Sequence, residues 1–331
     1  MGATLKTFCY GDIPGGPKSC CGLEGLSMAR SVAAGLGMPH TIYDVTERFK
    51  TEVIEDFVRE YAAGRTPNPC VICNATVKIP DLWERARQLG CEAIATGHYA
   101  RVLKTSAGIR LFRGLDGAKD QSYFLWSIPA EVLDHLILPL GELTKPQVRE
   151  LAGKHHLENA SKPESQEICF IPDNDYLTFL KKFLPASHPG FQPGPILDSQ
   201  GQLVGRHRGY LGYTVGQRKG LGGGHGRRLF VVRVDPEKRQ VIVGEETDLL
   251  SRRLRMSGIN LLAPEMVEPG KAVLVQIRHR SRPVPAVLAS VSERVWNLEF
   301  QESAKSVTPG QSAVVYAEDM VVAGGRIDSG E

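Results

Sequence analysis

No apolar run in this chain approaches the ~20 residues that cross a bilayer, and no charged-then-apolar leader opens it. A cytoplasmic protein without a membrane partner is therefore expected. A disulfide framework is missing as well. The seven cysteines (Cys9, Cys20, Cys21, Cys70, Cys73, Cys91 and Cys169) are irregularly spaced in 331 residues, a length that can bury a core without cross-links. In a reducing compartment they point to catalysis, metal binding or burial. Repeats and low-complexity tracts are also missing, so solenoids and disordered linkers are set aside. One local scarcity says more than the net charge of +3: residues 201–230 hold no Asp or Glu, yet include Arg206, Arg208, Arg218, Lys219, Arg227 and Arg228. With Arg278-His279-Arg280-Ser281-Arg282 this makes two basic patches, suited to a docked polyanion or simply to solvated loops.

What is present divides the chain in two. The first half alternates helical and strand-like patterns and is expected to be an α/β fold with a parallel sheet. A short strand is expected over residues 6–10, a helix over 26–36 and a strand over 40–45. Thr46 would cap the next helix, whose apolar stripe is Phe49, Val53, Phe57 and Tyr61 with Ile54 and Val58 beside it. Another strand, over 91–96, ends at Gly97-His98, the kind of strand exit where α/β sheets bind ligands. A hairpin is expected around Ser106-Ala107-Gly108, with Asp120 as a candidate helix cap. Beyond about residue 184 glycine and proline multiply and short β-type runs take over.

Between these patterns lies Gly64-Arg65-Thr66-Pro67-Asn68-Pro69-Cys70-Val71-Ile72-Cys73-Asn74. Its prolines predict a stiff loop without helix, bearing two thiols. Such a loop serves a reactive site or a structural zinc knuckle equally well. Cys169 is expected on a β-like run, facing away from Ile168 and Phe170, as a reactive thiol or a buried structural one.

The motifs taken together resemble the tRNA-specific 2-thiouridylases. The resemblance runs through Lys18-Ser19-Cys20-Cys21-Gly22, the thiol stretch, Ala95-Thr96-Gly97-His98-Tyr99-Ala100, Lys119-Asp120-Gln121-Ser122-Tyr123-Phe124, Leu140-Gly141-Glu142-Leu143-Thr144-Lys145-Pro146, Ser165-Gln166-Glu167-Ile168-Cys169-Phe170-Ile171, Tyr213-Thr214-Val215-Gly216-Gln217-Arg218-Lys219-Gly220-Leu221-Gly222 and Pro309-Gly310-Gln311-Ser312-Ala313-Val314. It implies a PP-loop ATPase-like α/β domain over 1–165, a small, mostly β, tRNA-binding domain over 166–250 and a C-terminal β-barrel over 251–331. The implied reaction is ATP-dependent adenylation of the wobble uridine C2 oxygen, with Mg, followed by sulfur transfer from a cysteine persulfide. Cys73 is implied as nucleophile and Cys169 as persulfide carrier, the two pairing transiently as a disulfide. The resemblance puts Asn68, Pro69 and Cys70 at the target base and Gly97 at ATP. It puts His98, Lys119, Asp120, Gln121, Arg278, His279 and Gln311 on tRNA. The partners are tRNA and a persulfide donor, either a cysteine desulfurase or a relay protein.

Two departures matter. The family's Ser-Gly-Gly-x-Asp-Ser phosphate loop is nowhere in the sequence. The resemblance begins after the family's second strand, so a start placed too far downstream and poor ATP binding are expected. Cys70 stands where many relatives carry Asp, so Cys70, Cys73 and Cys169 could instead hold an iron–sulfur cluster. The same residues also suit an inactive tRNA-binding relative, or a zinc-stabilised interaction protein using Cys20, Cys21, Cys70 and Cys73.

Overall fold

The computed structural model describes residues 1–8, 23–157, 160, 168–171, 174–221 and 228–331. The expectations for Cys9, Cys20 and Cys21, for the rest of residues 9–22, and for residues 165–167, Gly222 and Arg227 lie outside the described residues. The chain forms two compact units. One comprises Met1–Glu55 and Pro69–Tyr176, the other Asp56–Asn68 and Leu177–Glu331.

The first unit opens with β1 (Gly2–Lys6), α1 (Leu23–Gly35) and β2 (His40–Asp44). β1 and β2 pair in parallel, Gly2 opposite His40 and Lys6 opposite Asp44. The first strand thus lies earlier than the 6–10 expected, because the ladder is set by residues 40–44. Thr46 is not the cap expected of it. It is the first residue of α2 (Thr46–Phe49), and the Asp44 carboxylate accepts its N–H at 3.0 Å.

α2 runs through a wide π-helical turn, Lys50–Ile54, into α3 (Glu55–Ala62). A four-residue repeat drifts around an α-helix of about 3.6 residues per turn. The wide turn takes up that drift, so Phe49, Val53, Phe57 and Tyr61 are all buried, as the stripe required. After α4 (Pro69–Ile72) and α5 (Ile79–Gln88), β3 (Ile94–Ala95) is shorter than the strand expected over 91–96, because Cys91 N–H closes the end of α5 on Ala86 O. β4 (Ala100–Thr105) and β5 (Gly108–Arg113) form the expected hairpin. α6 (Ala130–Leu133) leads to β6 (Leu136–Ile137), which pairs in parallel with β3. Within this unit's described residues the parallel pairing is therefore two short ladders. α7 (Lys145–Lys154) follows, with Thr144 and Gln147 closing a capping box.

The second unit contains most of α3 and, after α8 (Tyr176–Leu180), the β half. Phe57 packs on Tyr61 with ring centroids 4.8 Å apart and meets Phe179 edge-on at 6.1 Å. β7 (Gly194–Leu197), β8 (Leu203–His207), β9 (Phe230–Asp235) and β10 (Gln240–Gly244) form a sheet in the order β8-β7-β10-β9.

β11 (Leu250–Leu261), β12 (Ala272–Gln276), β13 (Val284–Val291), β14 (Val295–Lys305), β15 (Ser312–Ala317) and β16 (Met320–Gly330) follow in the order β11-β14-β13-β12-β15-β16, and β16 pairs back to β11 to close a six-stranded barrel. Its interior shows period-two patterning. On β14, Trp296, Leu298 and Phe300 are buried while Asn297, Glu299 and Gln301 are exposed.

Candidate active site

The thiol stretch is not the helix-free loop its prolines suggest. Pro69 starts α4, a position where the missing N–H costs nothing and the fixed φ suits the helix. α4 passes directly into a π-helical turn over Cys73–Lys78 and then into α5. Ile79 N–H reaches back to Asn74 O, and the Thr76 hydroxyl donates to Ile72 O at 2.9 Å, competing for the carbonyl that a regular helix would use. Cys70 and Cys73 therefore project from one helix. Cys73 is buried and Cys70 half-buried. The helix is fixed from the side by Asn74, whose amide donates to Phe124 O at 3.1 Å, and by Ser127 Oγ on Val71 O at 3.4 Å. Asn74 Oδ1 is buried without a hydrogen-bond partner.

Cys169 lies in a turn, not on the β-like run expected. Ile171 N–H closes on Ile168 O at 3.0 Å, and Phe170 and Ile171 are both buried. Phe170 meets Phe49 edge-on with centroids 5.6 Å apart. Phe49 ends α2, and α2 and its π-helical extension pack on Cys73–Lys78. The turn bearing Cys169 is thus tied to the same helical cluster that carries Cys73. The described residues hold no disulfide.

Burial pushes the Cys70 thiol above its ordinary pKa, and the Lys78 ammonium offsets only part of that. Burial also pushes His98 down to about 4, with Lys78 again contributing. The Lys78 charge thus acts on both Cys70 and His98, a coupling that no sequence motif marks. At neutral pH Cys70 is a thiol and His98 a neutral imidazole. Thr96 Oγ1 lies 2.8 Å from His98 Nδ1. An RNA contact by His98 would be a hydrogen bond or a stacked ring, not an ion pair.

The two glycines flanking this strand exit differ. A Cβ on Gly141 would sit 1.9 Å from Ala100 O, so its glycine is dictated by packing. A Cβ on Gly97 would meet only Leu140 Cδ1, at 3.6 Å, an ordinary contact. Nothing in the protein's own packing demands glycine at 97, which suits a ligand approaching the backbone there.

Of Lys119, Asp120 and Gln121, the last is tied to Tyr99, the neighbour of His98. Tyr99 N–H donates to Gln121 Oε1 and Gln121 N–H to Tyr99 O, at 2.9 and 2.8 Å. Asp120 accepts from Gly114 N and Ser122 N at 3.0 Å, from Ser122 Oγ at 3.0 Å and from Arg113 at 3.2 Å. Its carboxylate ties the hairpin end to the short 3-10 turn Ser122–Phe124, whose capping position is Gln121, so Asp120 is not the helix cap expected of it. Lys119 is half-buried beside it.

In the second unit, Arg278 and His279 occupy the β12–β13 turn. Gln276 Nε2, Ser281 N and Ser281 Oγ all donate to the Arg278 carbonyl, which fixes the turn while Arg278, Arg280 and Arg282 point outward. Gln311 is placed differently. Its side-chain amide donates to Thr66 O at 3.0 Å and Pro67 O at 3.1 Å, just before Asn68. A cavity of about 380 Å³ among Arg253, Leu254, Glu299 and Glu331 contains none of the expected site residues.

Among the described residues, no group of three or more His, Cys, Asp or Glu side chains is placed to hold a metal ion. Cys70, Cys73 and Cys169 are all described, and they form no such group. No helix of the described residues is long and apolar enough to cross a membrane.

Known proteins match the chain along its length. A family profile described as tRNA methyl transferase HUP domain matches residues 1–173. One described as tRNA methyl transferase PRC-barrel domain matches 178–245, and one described as Aminomethyltransferase beta-barrel domain matches 251–327. The chain is 43% identical over 311 residues to the "tRNA-specific 2-thiouridylase MnmA" of Carboxydothermus hydrogenoformans, covering 93% of this chain and 84% of that one. The protein of the same name in Geobacter metallireducens is 44% identical over 334 residues, covering 99% and 90%. That of Heliobacterium modesticaldum is 42% identical over 330 residues, covering 99% and 85%.

Proposed function

The chain belongs to the tRNA-specific 2-thiouridylase family, and from that premise we propose how its residues divide the work of thiolating the tRNA wobble uridine. The activity is that of a sulfurtransferase on tRNA, and the HUP domain implies ATP as co-substrate. Residues 1–165, 166–250 and 251–331 would be its catalytic, central and barrel domains.

A carbonyl oxygen leaves poorly, so C2 of uridine must first be activated. Transfer of AMP from ATP to the C2 oxygen, with Mg and release of pyrophosphate, does this. Gly97 leaves room for ATP at the strand exit. The terminal sulfur of a Cys169 persulfide then forms the bond to C2 and AMP departs. Cys73 as thiolate attacks the inner sulfur of that adduct. The S–S bond breaks, 2-thiouridine leaves with the outer sulfur, and Cys73 and Cys169 are joined as a disulfide. A dithiol reductant supplies two electrons to reopen it, and a cysteine desulfurase or relay protein reloads Cys169. The target base must leave its stack to be reached, and Asn68, Pro69 and Cys70 would line its place.

Cys70 keeps its proton and serves as a neutral contact. His98, Lys119, Gln121, Arg278 and His279 would hold the tRNA, with Asp120 acting through the turn it fixes. Phosphate contacts position the RNA and the thiol helix meets one base. A cytoplasmic location goes with this substrate.

The observation that carries this reading is the contact of Phe170 with Phe49, which ties the Cys169 turn to the cluster carrying Cys73. The test is a single turnover with tRNA, ATP, Mg and a persulfide donor, without reductant. The expected result is 2-thiouridine in the tRNA digest and a peptide pair linked through Cys73 and Cys169. Thiolation undiminished in Cys73→Ser or Cys169→Ser would overturn the assignment. Iron and acid-labile sulfide in anaerobically purified, active protein would favour the cluster over the persulfide.

A further inference from the structure

Gly64 N–H on Tyr61 O and Arg65 N–H on Glu60 O, both at 2.9 Å, tie the start of the segment 64–68 to the end of α3, and its later residues are held differently. Pro67 and Pro69 have no N–H, so its carbonyls need donors from elsewhere. The C-terminal barrel supplies them. Gln311, at the start of β15, uses one amide nitrogen for Thr66 O and Pro67 O. Pro309 O accepts Thr66 N–H at 2.9 Å. Gly310 lies flat against Arg65 and Thr66, at φ 91°, where a Cβ would come within 2.9 Å of Thr66 N and O.

A second tie runs through charge. Arg326 on β16 donates to both carboxylate oxygens of Asp56, at 3.0 and 3.2 Å, and lies 2.9 Å from Glu60 Oε1. Arg65 grips Glu60 from the other side with two bonds, at 2.7 and 2.5 Å. Burial alone would raise the Glu60 pKa. The Arg65 hydrogen bond and the charges of Arg326 and Arg65 outweigh burial and leave it lowered. Asp56 and Glu60 are both buried acids on α3, the helix that delivers the chain to Gly64.

We propose that Gln311 and Arg326 are positioning residues for thiolation: the barrel braces the segment 64–68 and thereby sets where Asn68 presents itself to the target base. This rests on the functional reading above and changes one part of it. The Gln311 N–H groups are committed to the protein, so any contact it makes with tRNA is made through Oε1. The brace also gives the barrel a task beyond docking RNA.

The test uses the full chain and three measurements on Gln311→Ala, Gln311→Glu and Arg326→Lys. These are hydrogen exchange of the peptide containing residues 62–69, thiolation kinetics with tRNA as the varied substrate, and tRNA affinity. For Gln311→Ala the expected result is exchange in that peptide about tenfold faster, with the rest of the barrel unchanged. The expected kinetics are kcat down about tenfold with KM for tRNA within about threefold. Gln311→Glu should be worse than Gln311→Ala, since a carboxylate turned to two carbonyls repels them. Arg326→Lys keeps the charge but not the fork and should fall between wild type and Gln311→Ala.

Unchanged exchange in Gln311→Ala would overturn the brace. A rise in KM for tRNA with kcat and exchange unchanged would also overturn it, making Gln311 an RNA contact only. If the unsubstituted chain makes no 2-thiouridine, the functional reading fails, and the exchange measurement still decides whether the brace exists.

Discussion

The segment 64–68 and the helix that starts at Pro69 adjoin in sequence yet are held by opposite means. The segment is fixed largely by donors and charges borrowed from the barrel, with the Thr66 and Pro67 backbone groups met by Gln311 and Pro309 and its leading helix by Arg326. The helix is fixed mainly by apolar burial of Val71, Cys73, Val77 and Ile79, helped by the Asn74 amide on Phe124 O and Ser127 Oγ on Val71 O, and it carries a polar atom, Asn74 Oδ1, with no hydrogen-bond partner. Polar bracing fixes direction closely because hydrogen bonds weaken steeply off-axis. Apolar packing fixes position but leaves a side chain's chemistry open. If Asn68, Pro69 and Cys70 receive the target base as proposed, such a site has use for both.

The contrast is broken most completely by Cys73→Ser, which should abolish 2-thiouridine formation by a factor of about 10³ or more, read by mass spectrometry of digested tRNA, while exchange over residues 64–68 stays as in the wild type. Gly141→Ala, which drives a Cβ into Ala100 O, should cost about 3 kcal/mol or more in urea unfolding. Arg326→Met should cost about 2–4 kcal/mol, because it leaves Asp56 and Glu60 buried with fewer cations. Gly97→Ala should leave stability within about 0.5 kcal/mol and show its effect in ATP binding measured by calorimetry.

The smallest effects are pH-dependent. Glu60 has a lowered folded pKa, so its share of stability is present above about pH 4.5 and fades as pH falls further. Glu60→Gln should flatten that acid limb. His98 is the reverse type of group. It is a base pushed down to about 4, so the unfolded chain binds its proton first. Stability should therefore drop as pH falls through the range from about 6.5 to 4, and His98→Gln should remove that slope. NMR of the ring should show no titration above about pH 5.

Much of the N-terminal half is legible in the sequence. The stripe of Phe49, Val53, Phe57 and Tyr61 announces a buried helix, and the Gly108 turn announces the hairpin. The thiol stretch reads as a loop because proline is ordinarily a breaker, whereas Pro69 sits at the one helical position that tolerates it. Cys169 reads as part of a strand because a short run such as Glu-Ile-Cys-Phe-Ile satisfies an alternating pattern by chance. Lys78 and Arg326 carry no signal of their own. Their meaning comes from the groups they act on, and for Arg326 those groups lie 270 positions away at Asp56.

The contact between Gln311 and Thr66 spans 245 positions of chain, and this sets an order of assembly. During synthesis at roughly 5–20 residues per second, the ribosome needs about 10–50 seconds after Thr66 to make the residue that secures it. Through that interval Cys70 and Cys73 exist on a nascent protein whose segment 64–68 lacks its partner Gln311. On the proposed reading, the ability to take up a tRNA in register is thus conferred only after the strand following Gln311 has been made.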